Sequence, residues 1–246
     1  NILTMYNFIE VQPCKNNIGA LININLNKIN NDIINEIKFS LDEFGVVFFR
    51  NQSLNSSCYV QFAKKFGVCA DYARLKSLDG YPEITVVEKK ANEKMMFGEG
   101  WHTDSCYTQH PPKFTMLYSI KTPKKGKGNT LFASQYASYE CLPKKDQKEI
   151  NKLNALFSAD GPISNTLTNR IADRGKDISN QTLSAIHPIV KINEKNKKKS
   201  IYLSPGHVIK IVDFEEKKSA SLLKYLIKHQ VKPDFIYSFE WEPNCL

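Results

Sequence analysis

The sequence predicts a mainly β fold with helices (α+β), a β-sandwich or jelly-roll core with helices packed outside it. Two observations predict this. Segments rich in β-branched and aromatic residues, punctuated by Pro and Gly, dominate the middle of the chain. Helical periodicity is confined to the start, one insertion and the region before residue 231.

Taken in order, Asn31 and Asp32 can cap a helix whose Ile33, Ile34, Ile37, Leu41 and Phe44 share one face, and Gly45 ends it. Residues 46–49 follow as a buried strand, and Ser56 or Ser57 opens a short helix that Gly67 closes. Residues 84–87 read as a β-branched strand. Further strands are expected over 101–107, 115–120 and 130–134, separated by Pro111-Pro112 and by the turn at 126–129. Helical character returns over 136–142 and 145–153. The polar, aperiodic stretch 164–181 is the candidate for a mobile lid. Residues 187–192 and 200–203 flank a lysine-rich turn as a hairpin. Residues 215–230 form an amphipathic helix with Leu222, Leu223, Leu226 and Ile227 inward, and 235–241 is the last strand. Nothing resembles a linker or a repeat, so residues 1–246 are expected to form a single domain.

With 246 residues, 41% of them hydrophobic, the chain can bury a core of domain size. No apolar run approaches the roughly 20 residues of a membrane span, and no secretory leader opens the sequence. A soluble cytoplasmic protein with no membrane partner is expected. Six widely spread cysteines, without a CxxC pair, read as reduced thiols. The net charge of +9 sits largely in lysine runs such as 197–199, in turn-like contexts. Without interleaved aromatic residues or a binding motif, these runs read as solvated surface rather than as a nucleic-acid footprint. Assembly into identical copies stays open.

The sharpest chemical feature is Trp101-His102-Thr103-Asp104. Residues two apart on a strand face the same way, so the imidazole and the carboxylate can converge on one metal ion. Read alone, such a pair is more often a His and an Asp bonded to their neighbours at a strand end. Its context is more specific. His102 and Asp104 are followed by Pro111-Pro112, the glycine turn, Thr130-Leu131-Phe132 and Ala137-Ser138-Tyr139-Glu140-Cys141-Leu142. This order resembles the taurine/2,4-D dioxygenase (TauD/TfdA) family, whose pattern is WHxD, PP, a glycine-rich turn, TLF and A-Y-E-x-L. The likeness extends to residues 45–50, 62–67, 187–190, the helix ending at His229-Gln230, and 239–243.

The resemblance implies a double-stranded β-helix that holds iron(II) between two histidines and one carboxylate. It also implies 2-oxoglutarate and dioxygen as cosubstrates, release of succinate and carbon dioxide, and hydroxylation of a small organic substrate. His102 and Asp104 match the first two iron ligands. Thr130 matches the threonine that helps bind 2-oxoglutarate, although a threonine opening a strand often serves β propensity alone. Members that act on taurine carry an asparagine where this chain has Gly98, and a substrate-contacting histidine falls at Tyr72. Both positions are candidate substrate contacts, and both departures count against taurine.

The family pattern continues with a W-D-N segment, a second ligating histidine and a cosubstrate-binding arginine, none of which occurs in residues 1–246. The expectation is therefore a C-terminally incomplete oxygenase, with its closing strands missing and ladder edges left unpaired. His110, His187, His207 and His229 do not match the second ligand's position. His110 is expected to face solvent and His229 to complement a helix dipole. A non-catalytic, degenerate jelly-roll binding module of the same family is the alternative, and a basic nucleic-acid-binding protein is a third reading that the motifs do not support. Retention of His102, Asp104 and Thr130 together argues against decay.

Overall fold

The computed structural model describes residues 5–70, 77–92, 99–161 and 183–246. Strand β1 (Glu10–Pro13) pairs antiparallel with β2 (Ala20–Asn23), and β2 pairs parallel with β3 (Val47–Phe48). A parallel pair needs a crossover, and helix α1 (Asn31–Phe44) supplies it. Asn30, rather than Asn31 or Asp32, caps α1, its side chain accepting the Ile33 amide at 2.9 Å. Gly45 then takes φ +78, which lets the chain leave the helix and enter β3 at once. Helix α2 (Ser56–Lys64) is capped by Asn55. Strands β4 (Ser77–Leu78) and β5 (Tyr81–Thr85) form a small hairpin, so the strand expected at 84–87 begins earlier.

The second half begins with β6 (Thr130–Ala133), α3 (Gln135–Glu140) and α4 (Lys144–Ile150). Strand β7 (Asn154–Ser158) follows, with β8 (Ser184–Pro188), β9 (Val190–Ile192), β10 (Lys199–Ile201) and β11 (Val208–Ile211). Helix α5 (Glu216–Gln230) and β12 (Ile236–Phe239) complete the order. β9 and β10 form the expected hairpin, β11-β7-β8 form an antiparallel sheet, and β12 pairs with β6. The result is a mixed α/β molecule of mostly small β-sheets with few helices. Among the described residues no helix is long and apolar enough to cross a membrane.

Two expected strands, 101–107 and 115–120, are not ladder strands in the structure. The bonds of the second go to scattered partners. The Met116 carbonyl accepts the Tyr59 hydroxyl, and Ser119 exchanges backbone bonds with Asn244 and Cys245. The lysine-rich turn is also less solvated than expected, because Lys198 pairs with Glu43 of α1 at 2.9 Å.

Three apolar clusters hold these elements. One packs α5 (Leu223, Leu226) over β7 and β11 through Phe157 and Ile211. A second joins α1, α2 and β2 and includes Leu246. The third is small: Phe48, Phe239 and Cys245, with the Phe48 and Phe239 rings stacked at 4.0 Å. Residues 244–246 are stitched beside β3, where Phe49 and Leu246 exchange both backbone hydrogen bonds (2.8 and 2.9 Å) and Gln52 donates to Asn244. Arg50 reinforces the join by pairing with Glu242 at 3.2 Å over the face of Phe239. Leu246→Ala is expected to lower stability by about 2–3 kcal/mol in chemical denaturation. Leu117→Ala, at a half-exposed site, should stay within about 0.5 kcal/mol.

Candidate functional site

The segment carrying His102 and Asp104 is a run of turns. Gly100 (φ +93) and Ser105 (φ +50) occupy the left-handed region and break any strand, so the same-face argument for the pair fails. Its backbone groups find partners in place of a ladder. Thr103 N–H donates to the Ser204 hydroxyl at 2.9 Å and Thr108 N–H to the Ser105 carbonyl at 3.0 Å. The two side chains converge all the same, with His102 Nε2 lying 3.2 Å from Asp104 Oδ1. Both remain reachable, 27% and 46% of their side-chain surfaces being exposed, so a ligand can enter without unfolding the loop.

The other ring nitrogen settles what the pair requires. His102 Nδ1 lies 2.9 Å from the Gly100 carbonyl, which can only accept a hydrogen bond. A carbonyl at Nδ1 and a carboxylate at Nε2 leave a neutral imidazole one proton short. A cation, either a proton on the ring or a metal ion beside Nε2, must balance the arrangement. With no metal present, the Asp104 hydrogen bond holds the His102 ring above its ordinary value, against the opposing effect of partial burial. The bond from His102 likewise keeps Asp104 low, against burial, with smaller help from the charge of His102, a Thr115 hydrogen bond and the charge of His207.

A cavity of about 350 Å³ opens beside His102, bordered by Trp101 and Thr103 on one side and by Phe44, Val46 and Phe132 on the other. Its volume suits a small molecule, for which roughly 300–1,000 Å³ is usual. Thr130 begins β6 opposite Phe239 of β12, and its hydroxyl accepts the Trp241 indole N–H at 2.8 Å. Tyr72, Gly98 and the lid segment 164–181 lie outside the described residues.

The remaining histidines separate clearly. His110 is exposed, as expected. His187 is buried with Nε2 2.9 Å from the Thr108 carbonyl, which fastens the downstream end of the loop. His229 is 3% exposed in the last turn of α5, near the helix end as expected, and its Nε2 lies 2.7 Å from the Ser138 carbonyl. His207 is buried edge-on to Tyr107 at a centroid distance of 5.0 Å. Ser204, which sequence reasoning passed over, supports the loop from 101 positions away. No local pattern marks a serine for that contact.

The molecule is a mixed α/β fold in which His102 lines a cavity and Asp104 lies 3.2 Å from its ring, and comparison with known proteins agrees with that fold. The pattern of the Taurine catabolism dioxygenase TauD, TfdA family matches residues 10–246, and the chain belongs to this family. It is 24% identical over 230 residues to pentalenolactone F synthase of Streptomyces arenae, covering 87% of this chain and 76% of that one. The alpha-ketoglutarate-dependent sulfonate dioxygenase of Saccharomyces cerevisiae is 26% identical over 251 residues, covering 97% of this chain and 60% of the relative. A solved taurine dioxygenase from Burkholderia xenovorans superposes with a TM-score of 0.80 at 25% identity, covering 96% of this chain and 78% of the other.

Burial pushes the Cys106 thiol up to about 11, against a smaller lowering influence of the Ser204 hydroxyl. Since the thiolate is the reactive form, alkylation at pH 8 followed by peptide mass spectrometry should label exposed Cys141 well before Cys106. Equal labelling of the two would contradict the packing of this loop.

Proposed function

We propose that residues 1–246 carry a single iron(II)- and 2-oxoglutarate-dependent dioxygenase domain of the double-stranded β-helix type, working in the cytoplasm on a small organic substrate. One substrate C–H bond becomes C–OH, and 2-oxoglutarate becomes succinate and carbon dioxide, using one dioxygen. The observation that carries this reading is the His102–Asp104 pair, whose hydrogen-bond pattern calls for a cation beside Nε2. His102 and Asp104 would hold the iron, and the Thr130 hydroxyl, already oriented by Trp241, would assist 2-oxoglutarate binding. The bound metal with its cosubstrate supplies the oxidising power, while the protein orients the substrate and excludes water. Taurine itself is disfavoured by Tyr72 and Gly98, which leaves another small organic acid or metabolite as the substrate.

Residues 1–246 contain no counterpart of the family's second ligating histidine or cosubstrate arginine, nor of the strands that follow in its pattern. Two protein ligands hold a metal less tightly than three, and a cosubstrate carboxylate without its bidentate arginine loses orientation. On their own, these residues are therefore expected to bind metal weakly and to turn over slowly. The second reading is a non-catalytic binding module. Among the described residues, no group of three His, Cys, Asp or Glu side chains is placed to hold a metal ion.

Metal titration separates the readings. Mn(II) should bind the chain and bind His102→Ala and Asp104→Ala at least about tenfold more weakly. Equal affinity in all three proteins would favour the binding module. In assays with Fe(II) and 2-oxoglutarate, succinate formation at ordinary enzymatic rates by residues 1–246 would contradict the two-ligand account, and a strong preference for taurine would overturn the substrate reading.

A further inference from the structure

The loop that carries His102 and Asp104 has no ladder to hold it, so its shape depends on a few fastenings. The downstream end is tied by His187 to the Thr108 carbonyl and by the Tyr107 ring against His207. Between the two candidate ligands there is one bond from Thr103 N–H to the Ser204 hydroxyl, at 2.9 Å. Ser204 is 1% exposed and stands on a fixed platform. Its carbonyl accepts the amides of His207 (2.9 Å) and Val208 (2.8 Å), the turn that leads into β11, and β11 is itself paired with β7.

We propose that Ser204 is a positioning residue for the metal-binding pair, taking the place of the strand ladder that would otherwise set the angle between His102 and Asp104. This rests on the reading of that pair as metal ligands. The residue touches neither metal nor substrate. It acts by satisfying the amide midway between the ligands, which removes alternative loop conformations before a metal arrives.

The test compares wild type with Ser204→Ala, Ser204→Thr and Ser219→Ala. Ser219 is a matched control: it is 3% exposed, and its hydroxyl accepts the Ile211 amide at 2.9 Å, at the α5–β11 contact in place of the metal-binding loop. Two quantities are read: Mn(II) affinity by titration, and hydrogen exchange at the Thr103 amide. Ser204→Ala is expected to weaken Mn(II) binding about tenfold and to speed Thr103 exchange by at least as much, with Ser204→Thr recovering both. Ser219→Ala should lose comparable thermal stability and change neither. If Ser204→Ala matches Ser219→Ala in both readouts, the inference is wrong. If wild type holds no Mn(II), the metal reading of the pair fails, while the Thr103 exchange difference still decides whether Ser204 anchors the loop.

Discussion

The structure depends on the return of residues 236–246 to the N-terminal layer. Phe239 stacks on Phe48, Leu246 shares two backbone bonds with Phe49, and Arg50 closes over the join onto Glu242. The same segment reaches the other way, because β12 is the sheet partner of β6 and Trp241 fixes the hydroxyl of Thr130. A single length of chain thus couples the α1 layer to the strand that bears the candidate cosubstrate residue. Packing here is aromatic and close, and any void would forfeit many dispersion contacts at once.

The site is organised by a mismatch between acceptors. An imidazole between a carbonyl and a carboxylate cannot satisfy both while neutral, and the geometry resolves only when positive charge sits at the carboxylate side. Because His102 lines a cavity whose wall includes Phe44, Val46 and Phe132, that charge would lie near apolar surface, where its influence on a bound molecule is less screened than in open water.

Much of this was legible in the sequence, and the misses have physical causes. Helices α1 and α5 declare themselves through apolar faces repeated over three turns or more, and the error at the start of α1 is a single residue, from Asn31 to Asn30. Strands β1, β2, β7 and β11, of four or five residues each, carry too few alternations to stand out. The segment 101–107 differs from the strand expected because a run of turns holding Trp101 and the buried Cys106 and Tyr107 has the same composition as a strand. His102 and Asp104 stand out as candidate ligands through their motif, which is legible whatever the backbone does. Ser204, His187 and Trp241 were not assigned their roles, since each acts on a partner far away in sequence and none sits in a pattern of its own.

The distance along the chain between Phe48 and Phe239 has a further consequence during synthesis. Contacts that close loops of some 190 residues are slow to form, and on the ribosome they cannot form before the distal partner has been made. The β1-β2-β3 layer is made first, with one face of Phe48 waiting for a ring translated about 190 residues later. In the interval this nascent layer presents an unpartnered aromatic face around Phe48, well before the partner that covers it has been made.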